Sequence, residues 1–232
     1  MNKITDSIRI IQEKVIQTAE RCGRSPQSVK IVAVSKTQPA QAVREAYQAG
    51  LRVFGENRVQ EAESKIAEIQ DLQAEWHLIG HLQTNKVKKI LPLFQLVHSV
   101  DSVKLIEAIE KECAKQNKTM PILLQLNLSG EESKFGAEAG ELEKLLTALE
   151  NAPHLKSRGL MTIPPFTDDP EDVRPYFRQL RKVGEQYKND IIKSGKTLEL
   201  SMGMTNDFPV AIEEGATLVR IGTAIFGSRF YA

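Results

Sequence analysis

Lys36 closes the short apolar run KIVAVSK (residues 30–36), so its amine lies where a buried strand would end. An amine in a low-dielectric mouth loses part of its preference for the charged form, and a neutral amine condenses with an aldehyde to give a Schiff base. From position alone, a solvated lysine at a strand end suits the same residues equally well. A second chemistry lies in small residues: SMGM (201–204) with Thr205, and IGTAIFG (221–227), each set glycines and hydroxyls just past an apolar run. Backbone N–H groups in such turns can face an anion. The plainer alternative is that Gly203 and Gly222 only make tight turns.

Both chemistries depend on how the chain brings these residues together. Apolar residues at Ile4, Ile8, Ile11, Val15 and Ala19 form a helical stripe that Gly23 and Pro26 end. Strand-like runs followed by helical stretches then recur, with strands starting near residues 30, 53, 76, 96, 121, 157, 198 and 217. Helices are expected after each, including NKVKKIL after the third strand and a long one from about Glu171 to Ile192. The mean spacing of about 27 residues is close to that of an eight-unit barrel, and the mostly continuous apolar runs suit parallel strands covered on both faces. The expected fold is therefore α/β, a single (β/α)8 TIM barrel over residues 1–232 with an extra N-terminal helix. A doubly wound open sheet is the alternative, disfavoured because no GxGxxG turn follows the first strand. In a closed barrel the first strand neighbours the eighth, so Lys36 and the two glycine segments would share one mouth, suited to a phosphorylated aldehyde.

Other residues are weaker candidates. His77 and His81 are four apart, but WHLIGH reads as strand then turn, so the two rings are not expected to converge on a metal. His98, near Asp101, reads as a satisfied strand-end residue. Lys134 in SKFG reads as a polar-loop lysine, and Lys86, Lys88 and Lys89 as a solvated helix face. With 31 basic and 30 acidic side chains in 232 residues, the chain has no bulk field for nucleic acid. Cys22 and Cys113 lack metal-ligand spacing, and no stretch reaches the ~20 apolar residues of a membrane span. A cytoplasmic location is expected.

The segments IVAVSKTQP, VFGENRVQE, WHLIGHLQTNK, HSVDS, GLMT, LSMGMTNDF and LVRIGTAIFG, in this order, resemble the pyridoxal phosphate homeostasis protein family. That family is similar to the barrel domain of alanine racemase, a fold type III pyridoxal phosphate (PLP) architecture. The resemblance implies a Schiff base between Lys36 and PLP, a phosphate cup at Ser201, Gly203, Gly222 and Thr223, Asn57 beside the pyridine ring, and Arg220 facing the ring nitrogen. A permanently protonated guanidinium cannot take the pyridine proton, so the ring is a poor electron sink. Racemases of the related fold add a second base, a tyrosine from an added β domain. The chain's end at Ala232 and the helical or terminal positions of Tyr47, Tyr176, Tyr187 and Tyr231 lead us to expect none here. The resemblance implies a non-catalytic carrier, expected to be a monomer, with apo PLP-dependent enzymes as recipients. A PLP-dependent racemase and a cofactor-free Schiff-base aldolase are the alternatives.

Overall fold

A computed structural model of the protein describes residues 3–131, 134–192 and 197–227. Nine strands are present among them: β1 (Lys30–Val34), β2 (Val53–Glu56), β3 (Glu75–Leu78), β4 (Leu96–Val100), β5 (Met120–Asn127), β6 (Ala137–Glu138), β7 (Leu155–Met161), β8 (Glu199–Ser201) and β9 (Leu218–Ile221). All pairings are parallel, in the order β4-β3-β2-β1-β9-β8-β7-β5, and β4 pairs with β5 to close the cylinder. The short β6 pairs only with the end of β5, outside the ring. Eight parallel strands thus form a closed TIM barrel.

The helices are α1 (Lys3–Arg21), α2 (Ala40–Gln48), α3 (Val59–Glu68), α4 (Val103–Gln116), α5 (Leu142–Glu150), α6 (Arg174–Gln186), α7 (Lys188–Ile191), α8 (Phe208–Glu213) and α9 (Thr223–Phe226). Helix α9 is a single turn, too short to cover β9 and β1. The N-terminal α1 supplies the missing cover, packing Ile8, Ile11, Val15 and Ala19 beside α2, α8 and α9.

Two expected helices differ. Between β3 and β4 the lysine-rich segment forms only a 3-10 turn, Thr84–Lys89. Its buried anchors Val87 and Ile90 are three apart, the 3-10 period, and Pro92 blocks continuation. Lys86, Lys88 and Lys89 therefore lie on that turn, with Lys89 paired to Glu63 at 2.6 Å. The long helix after β7 is divided into a 3-10 turn (Pro170–Val173), α6 and α7, with Tyr187 between the last two leaving helical geometry at φ −102°, ψ 19°.

Strand parity sorts the core. Val32, Val34, Val53, Ile79, Leu96, Leu123, Met161 and Leu218 fill the barrel, whereas their neighbours Ala33, Phe54, Val97, Leu160 and Val219 pack under the helices. Burial at both faces is what parallel strands need. At Gly159 the β7 and β8 backbones approach so closely that a Cβ would lie 1.8 Å from the Glu199 carbonyl oxygen.

Candidate functional site

A cavity of about 610 Å³ opens at the carboxyl ends of the strands, where barrels of this kind place their working residues. Lys36, two residues beyond β1, lines it together with Asn57 beyond β2, Arg220 of β9, and Gly222 and Thr223 at the start of α9. Five residues from three separate strand ends therefore meet in one concavity. Gly80 allows this convergence: a Cβ there would sit 2.3 Å from the Asn57 carbonyl oxygen, so only glycine lets the two loops pass.

Ser201 and Gly203, the other residues expected in the phosphate cup, do not line the cavity. Gly203 takes φ +89°, and a Cβ there would lie 2.5 Å from Ala211 Cβ; it is a turn residue packed on α8. Ser201 is fully buried, and its hydroxyl is engaged inside the barrel. In the segment after β8, the hydroxyl that reaches the wall is that of Thr205, whose Oγ1 accepts from Ala224 N–H at 3.5 Å. Its loop is pinned by Asp207, whose carboxylate accepts from Met204 N–H at 2.5 Å.

Arg220 is 3 % exposed, donating to Ser201 Oγ at 2.6 Å and to the Thr162 carbonyl at 2.9 Å. Burial lowers its pKa to about 10, with Asp207 opposing the shift, so at neutral pH it remains protonated. From Ser201 a chain of hydrogen bonds crosses the barrel interior. Ser201 Oγ meets His98 Nδ1 at 2.9 Å, His98 Nε2 meets His77 Nδ1 at 2.9 Å, and His77 Nε2 meets Glu75 Oε1 at 2.8 Å. The Glu75 carboxylate only accepts, and burial disfavours a second proton on either ring, which together fix the direction along the chain. Ser201 accepts from Arg220 and donates to His98, which donates to His77, which donates to the Glu75 carboxylate. Both imidazoles are then neutral, and burial lowers the pKa of each, that of His98 strongly. The hydrogen bond from His77 holds the Glu75 carboxyl down at about 2.

This chain also places the histidines. His77 points into the barrel, whereas His81 lies at the mouth, stacked on Phe135 at 4.1 Å between centroids and 3.7 Å from Asp101. The two do not converge. His98 is satisfied by its two partners in the interior. Lys134 pairs with Glu131 at 3.4 Å and does not line the cavity. Ile163, Phe135 and Phe166 form an apolar rim, Phe166 being 80 % exposed.

Sequence reasoning missed Gln125, Phe135 and Phe166 at the wall and the whole histidine chain. The chain was detectable in principle: His98 stands two residues after Leu96, and Arg220 two after Leu218, both on barrel-facing parity. Gln125 carried the same signal, two residues after Leu123 on β5, whereas Phe135 and Phe166 lie in loops, which have no periodicity.

Residues 10–230 match the family described as alanine racemase, N-terminal domain. The pyridoxal phosphate homeostasis protein of Aquifex aeolicus (strain VF5) is 46 % identical over 95 % of this chain and 96 % of its own length. That of Escherichia coli (strain K12) is 39 % identical over 100 % of this chain and 99 % of its own. The structure of PipY from Synechococcus elongatus PCC7942 with PLP bound superposes with a TM-score of 0.84 at 37 % identity, covering 97 % of this chain and 100 % of that one. Alanine racemase from Bartonella henselae shares the barrel at a TM-score of 0.70 and 17 % identity, over 98 % of this chain but 59 % of its own, a likeness of fold alone. Matched along nearly its whole length by sequence and by structure, the chain belongs to the alanine racemase N-terminal domain family and, within it, to the pyridoxal phosphate homeostasis proteins.

Proposed function

We propose that this protein binds pyridoxal 5′-phosphate at the barrel mouth through Lys36 and serves vitamin B6 homeostasis as a single-domain, non-catalytic carrier in the cytoplasm. The observation that carries this reading is the convergence of Lys36, Arg220, Gly222 and Thr223 on one cavity, in a chain whose relative PipY has PLP bound. The residues present fit the group: an amine for its aldehyde, a cation for its ring nitrogen, and glycine backbone with two threonine hydroxyls for its phosphate. The cofactor, when bound, supplies the aldehyde that a lysine amine captures as a Schiff base with loss of water.

The protein's own residues bind and orient that group. Thr205, Gly222 and Thr223 hold the phosphate end; Ser201 and Gly203 support it from behind by fixing Arg220 and the β8–α8 turn. Arg220 can donate to a ring nitrogen but cannot give up its charge there, which keeps that nitrogen unprotonated and weakens carbanion stabilisation. No tyrosine among the described residues lines the cavity. Tyr47 lies under the Arg52 guanidinium at 4.1 Å, Tyr176 lies on α6 and Tyr187 donates to Glu143 at 3.0 Å. Tyr231 lies outside the described residues. These features favour holding the cofactor over racemisation, and the open, apolar rim suits release to an apo-enzyme.

The test is a visible spectrum of purified protein mixed with PLP, followed by borohydride reduction and mass mapping. A Schiff-base band, an adduct on Lys36 and loss of both in Lys36→Ala are expected, with recovery of activity when loaded protein is mixed with an apo-enzyme. A band unchanged in Lys36→Ala refutes the attachment point. A colourless protein trapped by borohydride only with a sugar phosphate favours the aldolase. Rapid α-proton exchange of an amino acid in heavy water favours the racemase.

A further inference from the structure

Lys36 is followed by a residue in an unusual backbone state. Thr37 takes φ +63°, in the left-handed region that β-branched side chains rarely enter. Such a conformation persists where the surroundings impose it, and it clusters at functional positions. Here the surroundings are charged and come from two elements behind the cavity, the end of β2 and the first turns of α3.

The peptide groups flanking Lys36 are each held. Glu61 Oε1 accepts from the Thr37 backbone N–H at 2.5 Å. On the other side, the Lys65 ammonium donates to the Ser35 carbonyl at 2.6 Å, and the Ser35 hydroxyl donates to Glu56 Oε1 at 2.6 Å. The three charged residues are themselves locked together, Lys65 lying 2.5 Å from Glu56 and 3.2 Å from Glu61. Glu61 and Lys65 are four apart on α3, which puts both on the face turned to β1. Lys65 and Glu56 are 5 % and 0 % exposed, so the pair is desolvated. A lysine and a glutamate are rarely buried like this unless paired. None of Glu56, Glu61 or Lys65 lines the cavity.

We infer that Glu61 and Lys65, braced by Glu56, form a clamp that grips the main chain on both sides of Lys36 and so aims its side chain across the mouth. These are positioning residues, acting on Lys36 through the backbone at Ser35 and Thr37. The physical need is clear from the side chain itself. A lysine has four rotatable carbons and a large rotamer entropy, so its amine stays near one place only if its Cα is fixed and its direction set. The left-handed turn at Thr37 sends the chain abruptly away after Lys36, and the clamp stabilises that turn against relaxation to an extended path. Stiffening the base of the side chain lowers the ordering cost of capturing an aldehyde, the usual advantage of preorganisation. The inference rests on the reading of Lys36 as the attachment point, and it names the residues that make that lysine effective.

Removing Lys65 would strand a buried carboxylate and threaten the fold. The test is therefore made at Glu61, which is 27 % exposed, by comparing the full-length wild type with Glu61→Ala and Glu61→Gln. Gln keeps an oxygen that can accept from Thr37, and Ala does not. Amide hydrogen exchange at Thr37, read by NMR without cofactor, reports the clamp. A PLP titration at the Schiff-base band reports its consequence. Glu61→Ala should lose Thr37 protection and weaken the binding constant about tenfold, the scale of one lost charge-assisted hydrogen bond, while its thermal midpoint stays within a few degrees. Glu61→Gln should recover most of both. The clamp is overturned if Glu61→Ala leaves Thr37 protection at the wild-type level, whatever happens to binding, or if protection is lost and binding is unchanged. If the wild type forms no Schiff base, yet Glu61→Ala still loses protection at Thr37, the attachment reading fails and the backbone clamp stands.

Discussion

Replacing Ser201 by alanine deletes one hydroxyl that serves two buried partners at once. In the folded protein it accepts from Arg220 Nη1 at 2.6 Å and donates to His98 Nδ1 at 2.9 Å, and both partners are buried, the arginine being 3 % and the histidine 0 % exposed. The substitution leaves a guanidinium N–H and an imidazole lone pair unsatisfied, each costing about 1–3 kcal/mol in a dry interior. Taking the lower half of that range for both, because Arg220 keeps its second bond to Thr162, gives about 3 kcal/mol. For a chain of this size that is about 6–12 °C in thermal midpoint. Urea unfolding of the cofactor-free protein is readily followed by fluorescence, since the single tryptophan, Trp76, is 4 % exposed and packs on Phe54. The same variant should bind PLP within about threefold of wild type, because its hydroxyl does not reach the cavity. Thr223→Ala should do the reverse, weakening PLP about tenfold with little change in the urea midpoint. If Ser201→Ala leaves the cofactor-free midpoint unmoved and loses PLP affinity tenfold or more, Ser201 is a phosphate ligand and the interior hydrogen-bond chain is wrong.

The same chain makes the protein acid-labile from an unusually high pH. Burial holds the pKa of His77 and His98 below the usual 6.5, so under that pH the unfolded chain takes up protons that the folded one refuses, and stability falls as pH falls. Glu75, held at about 2 against an ordinary 4.5, adds stability that is complete above the unfolded value and is lost as pH descends from 4.5 towards 2. Urea midpoints should therefore decline steadily from pH 7 to pH 4; a flat profile between pH 7 and pH 5 contradicts neutral histidines in the barrel. At Gly159, an added Cβ meets the Glu199 carbonyl oxygen at 1.8 Å, a backbone atom that cannot move without breaking the β7–β8 pairing. Gly159→Ala should cost more than about 4 kcal/mol, seen as loss of soluble folded protein or of the cooperative urea transition. A variant with a wild-type melt would mean that the two strands do not approach this closely.

The sequence by itself determined the barrel and most of its contents. Eight apolar runs, about 27 residues apart on average, each became a strand at the expected place, because continuous runs of β-branched and aliphatic residues alternating with helical stretches suit a parallel sheet covered on both faces. Lys36, Gly222 and Thr223 were legible for the same reason, and Asn57 and Arg220 were reached through the family resemblance. They follow or end those runs, and a closed barrel gathers strand ends at one mouth. The NKVKKIL segment was less legible: its two buried anchors suit a 3-10 turn, and a following proline outweighed helix propensity. What only the tertiary structure decided is which way each polar side chain turns. Ser201 and Thr205 are four residues apart in one glycine-containing segment, and both carry hydroxyls. Strand parity sends the first inward to Arg220 and His98, while the loop beyond Gly203 brings the second to the cavity wall. Likewise, nothing along the chain announces that Lys65 lies beneath Ser35, thirty residues away. That contact exists because α3 folds back over β2 and β1, and a buried ammonium must find every available oxygen once water has been excluded.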